Sequence, residues 1–180
     1  RYSEIGVTPM FDAFKTSLAG EFAGTKPDTT EENIQARVRG TLLMALSNKF
    51  GAMVVTTGNK SEMAVGYSTL YGDMAGGFAI LKDVSKTLVY KLCAYRNGVS
   101  RVIPERVITR PPSAELRPDQ KDQDSLPPYD TLDRIVELFR EQDRTPSETV
   151  CCGVIHAEVP TAARLLTLTE STARHTAARR

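Results

Sequence analysis

VVTTGNKSEMAVGYSTLYGD, residues 54–73, decides the fold. Ala52, Met53, Val54 and Val55 form an apolar run too short for a helix, and Thr56, Thr57, Gly58 and Asn59 interrupt it with small hydrogen-bonding residues. The stretch therefore predicts a buried strand, a polar loop and a short helix. In open α/β sheets, ligands bind beyond the carboxyl ends of strands, which places Thr57 and Glu62 where a nucleotide or a metal would be met. Glu62 reads equally well as a helix cap, because one carboxylate after a strand is common in α/β domains.

Downstream, GYSTLYGDMAGG carries four glycines in twelve residues, which excludes a regular helix or a central strand. Such backbone can approach a ligand closely, or simply form a flexible loop. Leu81 to Asn97 returns to helical spacing, with Val84, Leu88, Leu92 and Tyr95 on one face and Ser85 and Lys86 in the first turn. A lysine there opposes the positive end of the helix unless an anion is bound, so Lys86 hints at phosphate; a solvent-exposed lysine is the plainer alternative. Pro104, Pro111 and Pro112 predict extended or turning chain over residues 102–112. RPDQKDQDSLPPYD, residues 117–130, has the composition of a surface loop, whereas DTLDRIVELF is an amphipathic helix and Pro146 starts another.

Upstream, YSEIGV alternates and predicts a strand already under way at the start of the chain. Pro9 opens a helix with Met10, Phe11, Phe14, Leu18 and Phe22 as a core-facing stripe, ending at Gly20 to Gly24. Thr29 and Glu32 fit a capping box, followed by an apolar face of Ile34, Val38, Leu42 and Leu46. Asn33, Arg37 and Thr41 line another face, where Arg37 is either a surface arginine or a ligand contact.

The chain has 180 residues, 41% of them hydrophobic, enough for one globular domain with a real core. A formal net charge of +1 and the absence of tryptophan indicate neither a nucleic-acid groove nor a membrane surface. Nothing reads as a signal peptide or a membrane span, so a cytoplasmic location is expected. Cys93, Cys151 and Cys152 lack framework spacing and are expected as reduced thiols, and Cys151, Cys152 and His156 lack zinc-site spacing.

Three blocks, TEENIQARVRGTLLMALSNKFG, TTGNKSEMAVGYSTLYGDMAGGF and RPPSAELRPDQKDQDSLPPYDTLD, resemble in order and spacing the synthetase domain of glutamine-dependent NAD synthetases, over roughly residues 5–145. The resemblance implies a Rossmann-like parallel sheet flanked by helices, of the adenine-nucleotide α-hydrolase type (N-type ATP pyrophosphatase). It implies ATP-dependent amidation of deamido-NAD to NAD through an acyl-adenylate, with ammonia from glutamine. It also implies roles for individual residues: Thr57, Lys86 and Ser113 on ATP, Arg37 on deamido-NAD, Glu62 on Mg²⁺, and Asp73 beside the reacting end. A homo-oligomer is implied for the full-length enzyme.

The family's SGGxDS phosphate loop and its nitrilase-like glutaminase domain do not occur in this sequence. The expectation is a fold incomplete at the amino terminus: a partial synthetase domain over residues 1–150 and a divergent tail over 151–180, in which Glu170 and Arg174 match a family helix whose lysine is missing. Two rival readings are a non-catalytic or dimerisation module, and a nucleotide-binding α/β protein of another reaction.

Overall fold

A computed structural model describes residues 2–153 and 159–177. The chain forms two compact units, one made of Arg1–Gly58, Ser68–Ile80 and Leu116–Pro118, the other of Asn59–Tyr67, Leu81–Glu115 and Asp119–Arg180.

The first unit contains α1 (Thr8–Leu18), α2 (Thr29–Phe50) and two short strands, β1 (Val55–Thr56) and β2 (Phe78–Ala79). The strands pair in parallel, Val55 opposite Phe78 and Thr56 opposite Ala79, and Gly77 N–H extends the ladder to Val54 O at 2.9 Å. β1 is thus shorter and later than the expected strand at 52–55, because a ladder needs a partner and β2 offers only two residues. Residues 2–7 are not a strand: among the described residues no ladder partner faces them. α2 is capped by Asp28, not Thr29; its side chain accepts Thr30 N–H at 2.7 Å while Glu31 reaches back to Asp28 N–H at 2.8 Å. The box sits one residue earlier than expected because Asp28 has the extended backbone a cap requires. Gly51 closes the helix in the left-handed conformation, φ 60°. The stripe on α1 is not buried within this unit, Phe14 being half exposed.

The second unit contains α3 (Lys60–Ala64), α4 (Lys86–Val99), α5 (Glu105–Thr109), a 3-10 turn (Asp122–Asp124), α6 (Tyr129–Val136), a π-helical turn (Glu137–Glu141), α7 (Pro146–Cys151) and α8 (Val159–Ala177). Its core is Val65, Leu126, Tyr129, Leu132, Ile135, Val136, Leu138, Val159, Ala162 and Leu166. Leu132, Ile135 and Val136 follow i, i+3, i+4 spacing, so α6 offers this core one continuous face. Two expectations fail here. Residues 105–109 are helical, since Pro104 stands at the N-cap, where its missing N–H costs nothing. Residues 117–130 are not a surface linker, because Asp122, Leu126, Pro127 and Tyr129 are buried. The α4 stripe, Leu88, Leu92 and Tyr95, is exposed within the unit. All three cysteines are free thiols. No helix among the described residues is long and apolar enough to cross a membrane.

Candidate functional site

In the second unit, the predicted residues Glu62 and Lys86 meet. Asn59 caps α3 by accepting Glu62 N–H at 3.0 Å, and Glu62 Oε2 answers by accepting Asn59 N–H at 3.1 Å. Glu62 Oε1 accepts a hydrogen bond from Lys86 Nζ at 3.0 Å, with both side chains only about one-fifth exposed. Glu62 is therefore a cap and an ion-pair partner at once.

The first amides of α4 are fully served by side chains. Lys86 N–H donates to Ser61 Oγ at 2.9 Å, Thr87 N–H to Asp133 Oδ2 at 2.8 Å, and Leu88 N–H to Ser85 Oγ at 3.3 Å. Ser61 Oγ in turn donates to Asp133 Oδ1. The anion that Lys86 called for at the helix start is thus supplied by the protein, as the carboxylates of Glu62 and Asp133.

Lys86 Nζ also lies 5.3 Å from the centroid of the Tyr129 ring. The Tyr129 hydroxyl donates to Asp122 Oδ2 at 2.6 Å, a bond between buried groups. Burial first, then this hydrogen bond and the Asp122 charge, push the Tyr129 phenol above its ordinary range. Ser113, half-buried, accepts Glu115 N–H at 3.0 Å in a local turn, and the preceding Pro112 carbonyl accepts Asp122 N–H at 3.0 Å. Among the described residues no hydrogen bond joins Ser113 to Lys86.

In the first unit, α2 carries the glycine-rich loop. Arg37 Nε donates to Leu70 O at 3.2 Å, Thr69 Oγ1 to Asn33 Oδ1 at 2.9 Å, and Thr69 N–H to Asp73 Oδ1 at 2.6 Å. Gly40 lets the loop lie on the helix: a Cβ there would sit 2.7 Å from Gly72 O and 2.9 Å from Tyr71 O. Arg37 and Asp73 are thus both fixed to one loop, and both are exposed, as is Thr57 beyond β1. Thr41, expected in line with Asn33 and Arg37, is exposed and has no part in this contact.

The chain matches the NAD synthase family over residues 1–173. It belongs to that family. It is 62% identical over 149 residues to the glutamine-dependent NAD(+) synthetase of Acinetobacter baylyi, covering 82% of this chain and 28% of that protein. The glutamine-dependent NAD⁺ synthetase of Acinetobacter baumannii, solved in complex with adenosine diphosphate, is similar at 47% identity and TM-score 0.56, over 92% of this chain and 29% of that one. The enzyme from Cytophaga hutchinsonii, 24% identical over 94% of this chain and 29% of its own, shares the fold with TM-score 0.71. The chain thus spans under a third of the length of these glutamine-dependent relatives. Its parallel strands flanked by helices are part of the Rossmann-like sheet of NAD synthases.

Among the described residues no three His, Cys, Asp or Glu side chains gather as a metal cage. Both oxygens of Glu62, the residue expected on magnesium, are engaged, Oε2 by Asn59 N–H and Oε1 by Lys86 Nζ, so a magnesium ion arriving on nucleotide phosphates would take Oε1 only after Lys86 leaves it. His156, and the side chains of Glu170 and Arg174, lie outside the described residues. Asp133, Asp122 and Tyr129 were not singled out from sequence. Asp133 lies 46 residues from the amide it caps, and no local pattern announces it.

Proposed function

We propose that this chain takes part in the ATP-dependent amidation of deamido-NAD to NAD, in cytoplasmic NAD biosynthesis. The nicotinic carboxylate attacks the α-phosphorus of ATP, pyrophosphate leaves, and ammonia derived from glutamine then displaces AMP from the acyl-adenylate. The observation that carries this reading is the Lys86 ammonium. It is partly buried and held by a single carboxylate at 3.0 Å; in this reading a phosphate oxygen of ATP takes that partner's place. Within the second unit, Lys86 neutralises the phosphates of ATP and the Ser113 hydroxyl donates to them. Within the first, Thr57 fixes ATP, Arg37 engages deamido-NAD, and Asp73 stands by the reacting carboxyl group. A magnesium ion held by Glu62 would supply charge neutralisation on the phosphates.

Lys86→Ala should weaken Mg·ATP binding roughly 10- to 100-fold, the worth of a charge-assisted hydrogen bond, and leave deamido-NAD binding within about twofold. Arg37→Ala should do the reverse. Equal losses of both ligands in both variants would overturn the assignment.

A second reading concerns assembly. Leu43, Leu46 and Phe50 on α2 are 48%, 38% and 60% exposed, an apolar face suited to a second copy of the chain. A monomer by light scattering at micromolar concentration would exclude it.

A further inference from the structure

Tyr129, a member of the second unit's core, is 7% exposed and Asp122 2% exposed, and a hydrogen bond of 2.6 Å joins them. Apolar side chains of similar volume in place of both partners would avoid burying a carboxylate, and such double replacements are often neutral or stabilising. The arrangement is costlier still because Asp122 Oδ1 is buried without a hydrogen-bond partner. What the pair achieves is orientation. Asp122 holds the phenol by its hydroxyl, and the ring presents a face to Lys86 Nζ at 5.3 Å, inside the range of cation–π attraction. Glu62 accepts a hydrogen bond from one of the three ammonium N–H groups at 3.0 Å.

We propose that Tyr129, anchored by Asp122, is a positioning residue that keeps the Lys86 ammonium in place while it exchanges Glu62 for a phosphate of ATP. The proposal rests on Lys86 being an ATP ligand. A lysine on a four-carbon stem loses much conformational freedom when it is held at one point, and the ring removes part of that loss before ATP arrives. Glu62 alone cannot do this, because in the bound state it must release the ammonium it holds.

The test is steady-state kinetics of the complete reading frame encoding this chain, varying ATP at saturating deamido-NAD and ammonium. Tyr129→Leu removes the ring and should raise KM for ATP roughly three- to thirtyfold, with kcat within about twofold. Tyr129→Phe keeps the ring, and its KM should stay within about threefold although its melting temperature falls, since Asp122 loses its donor. In a Lys86→Ala background, Tyr129→Leu should add nothing further to KM. Should Tyr129→Leu fail to fold, Tyr129→Met, a flexible side chain without a ring, serves the same comparison. A merely structural Tyr129 would make KM follow stability in both variants, or make the losses from Tyr129→Leu and Lys86→Ala multiply; either result overturns the proposal alone. An unchanged KM in Lys86→Ala itself overturns the ATP role of Lys86, and the proposal with it.

Discussion

Replacing Asp133 by alanine should destabilise the second unit more than the loss of one partly buried carboxylate suggests. Asp133 serves two groups: the Thr87 amide at the start of α4, at 2.8 Å, and the hydroxyl of Ser61, which is 1% exposed. A hydrogen bond to a charged acceptor contributes about 1.5–3 kcal/mol, a buried hydroxyl proton left without an acceptor costs about 1–3 kcal/mol, and a carboxylate at a helix start adds about 0.3–1 kcal/mol. Allowing for partial relaxation and overlap, Asp133→Ala should cost about 3–5 kcal/mol. Asp133→Asn is the informative control. Its amide oxygen accepts from Thr87 and its NH₂ donates to Ser61 Oγ, which already accepts Lys86 N–H; the charge is lost and the Ser61 hydroxyl proton must turn to another acceptor, so the cost should be about 1–3 kcal/mol, below that of alanine. Urea unfolding followed by far-ultraviolet circular dichroism measures both, as shifts of midpoint at constant slope. An Asp133→Ala variant within about 0.5 kcal/mol of the parent, or one no worse than Asp133→Asn, would refute the capping account.

Leu132, fully buried in the same core, should cost about 2–5 kcal/mol when cut to alanine, read from the same urea curves. Gly40→Ala should displace the loop at Tyr71 and Gly72, because the atoms a Cβ would meet are backbone; increased proteolysis within residues 68–77 is the expected sign, and an unchanged digest would contradict it. Of the six tyrosines, Tyr129 should withhold its proton in an alkaline absorbance titration as long as the fold persists. Its folded pKa is raised, so the stability it contributes is complete below about pH 10, where the unfolded phenol ionises, and falls as pH rises further. Tyr129→Phe should remove the late step, and titration of all six together near pH 10 would contradict the burial. Glu62→Gln should reduce turnover most at limiting Mg²⁺, by roughly tenfold or more, while its folding changes little; turnover independent of Mg²⁺ in the variant and the parent alike would exclude the metal role.

Much of this arrangement is legible in the chain itself. Helical periodicity located α2, α4 and α6, Pro146 marked the start of α7, and the glycines of residues 66–77 excluded a regular element there. The anomaly of Lys86 at a helix start was also visible, because helix polarity is a local property. Its resolution was not. Glu62 and Asp133, the carboxylates that offset it, lie 24 and 46 residues from the positions they serve, distances that no periodic pattern spans. Burial of the SLPPY segment was hidden for a different reason: proline and charge predict a solvated loop, yet Leu126, Pro127 and Tyr129 pack inward while Asp122 follows its hydrogen-bond partner. The strand expected at the amino terminus fails because a strand is a property of a pair, and alternation in YSEIGV specifies only one member.

The central claim is an amidation that consumes ATP. The most direct test supplies the complete reading frame encoding this chain with ATP, Mg²⁺, deamido-NAD and ammonium, and quantifies AMP and NAD in the same samples. The account predicts AMP and NAD in equal amounts, with both lost together in Lys86→Ala. Release of ADP in place of AMP, or consumption of ATP without NAD, would contradict it.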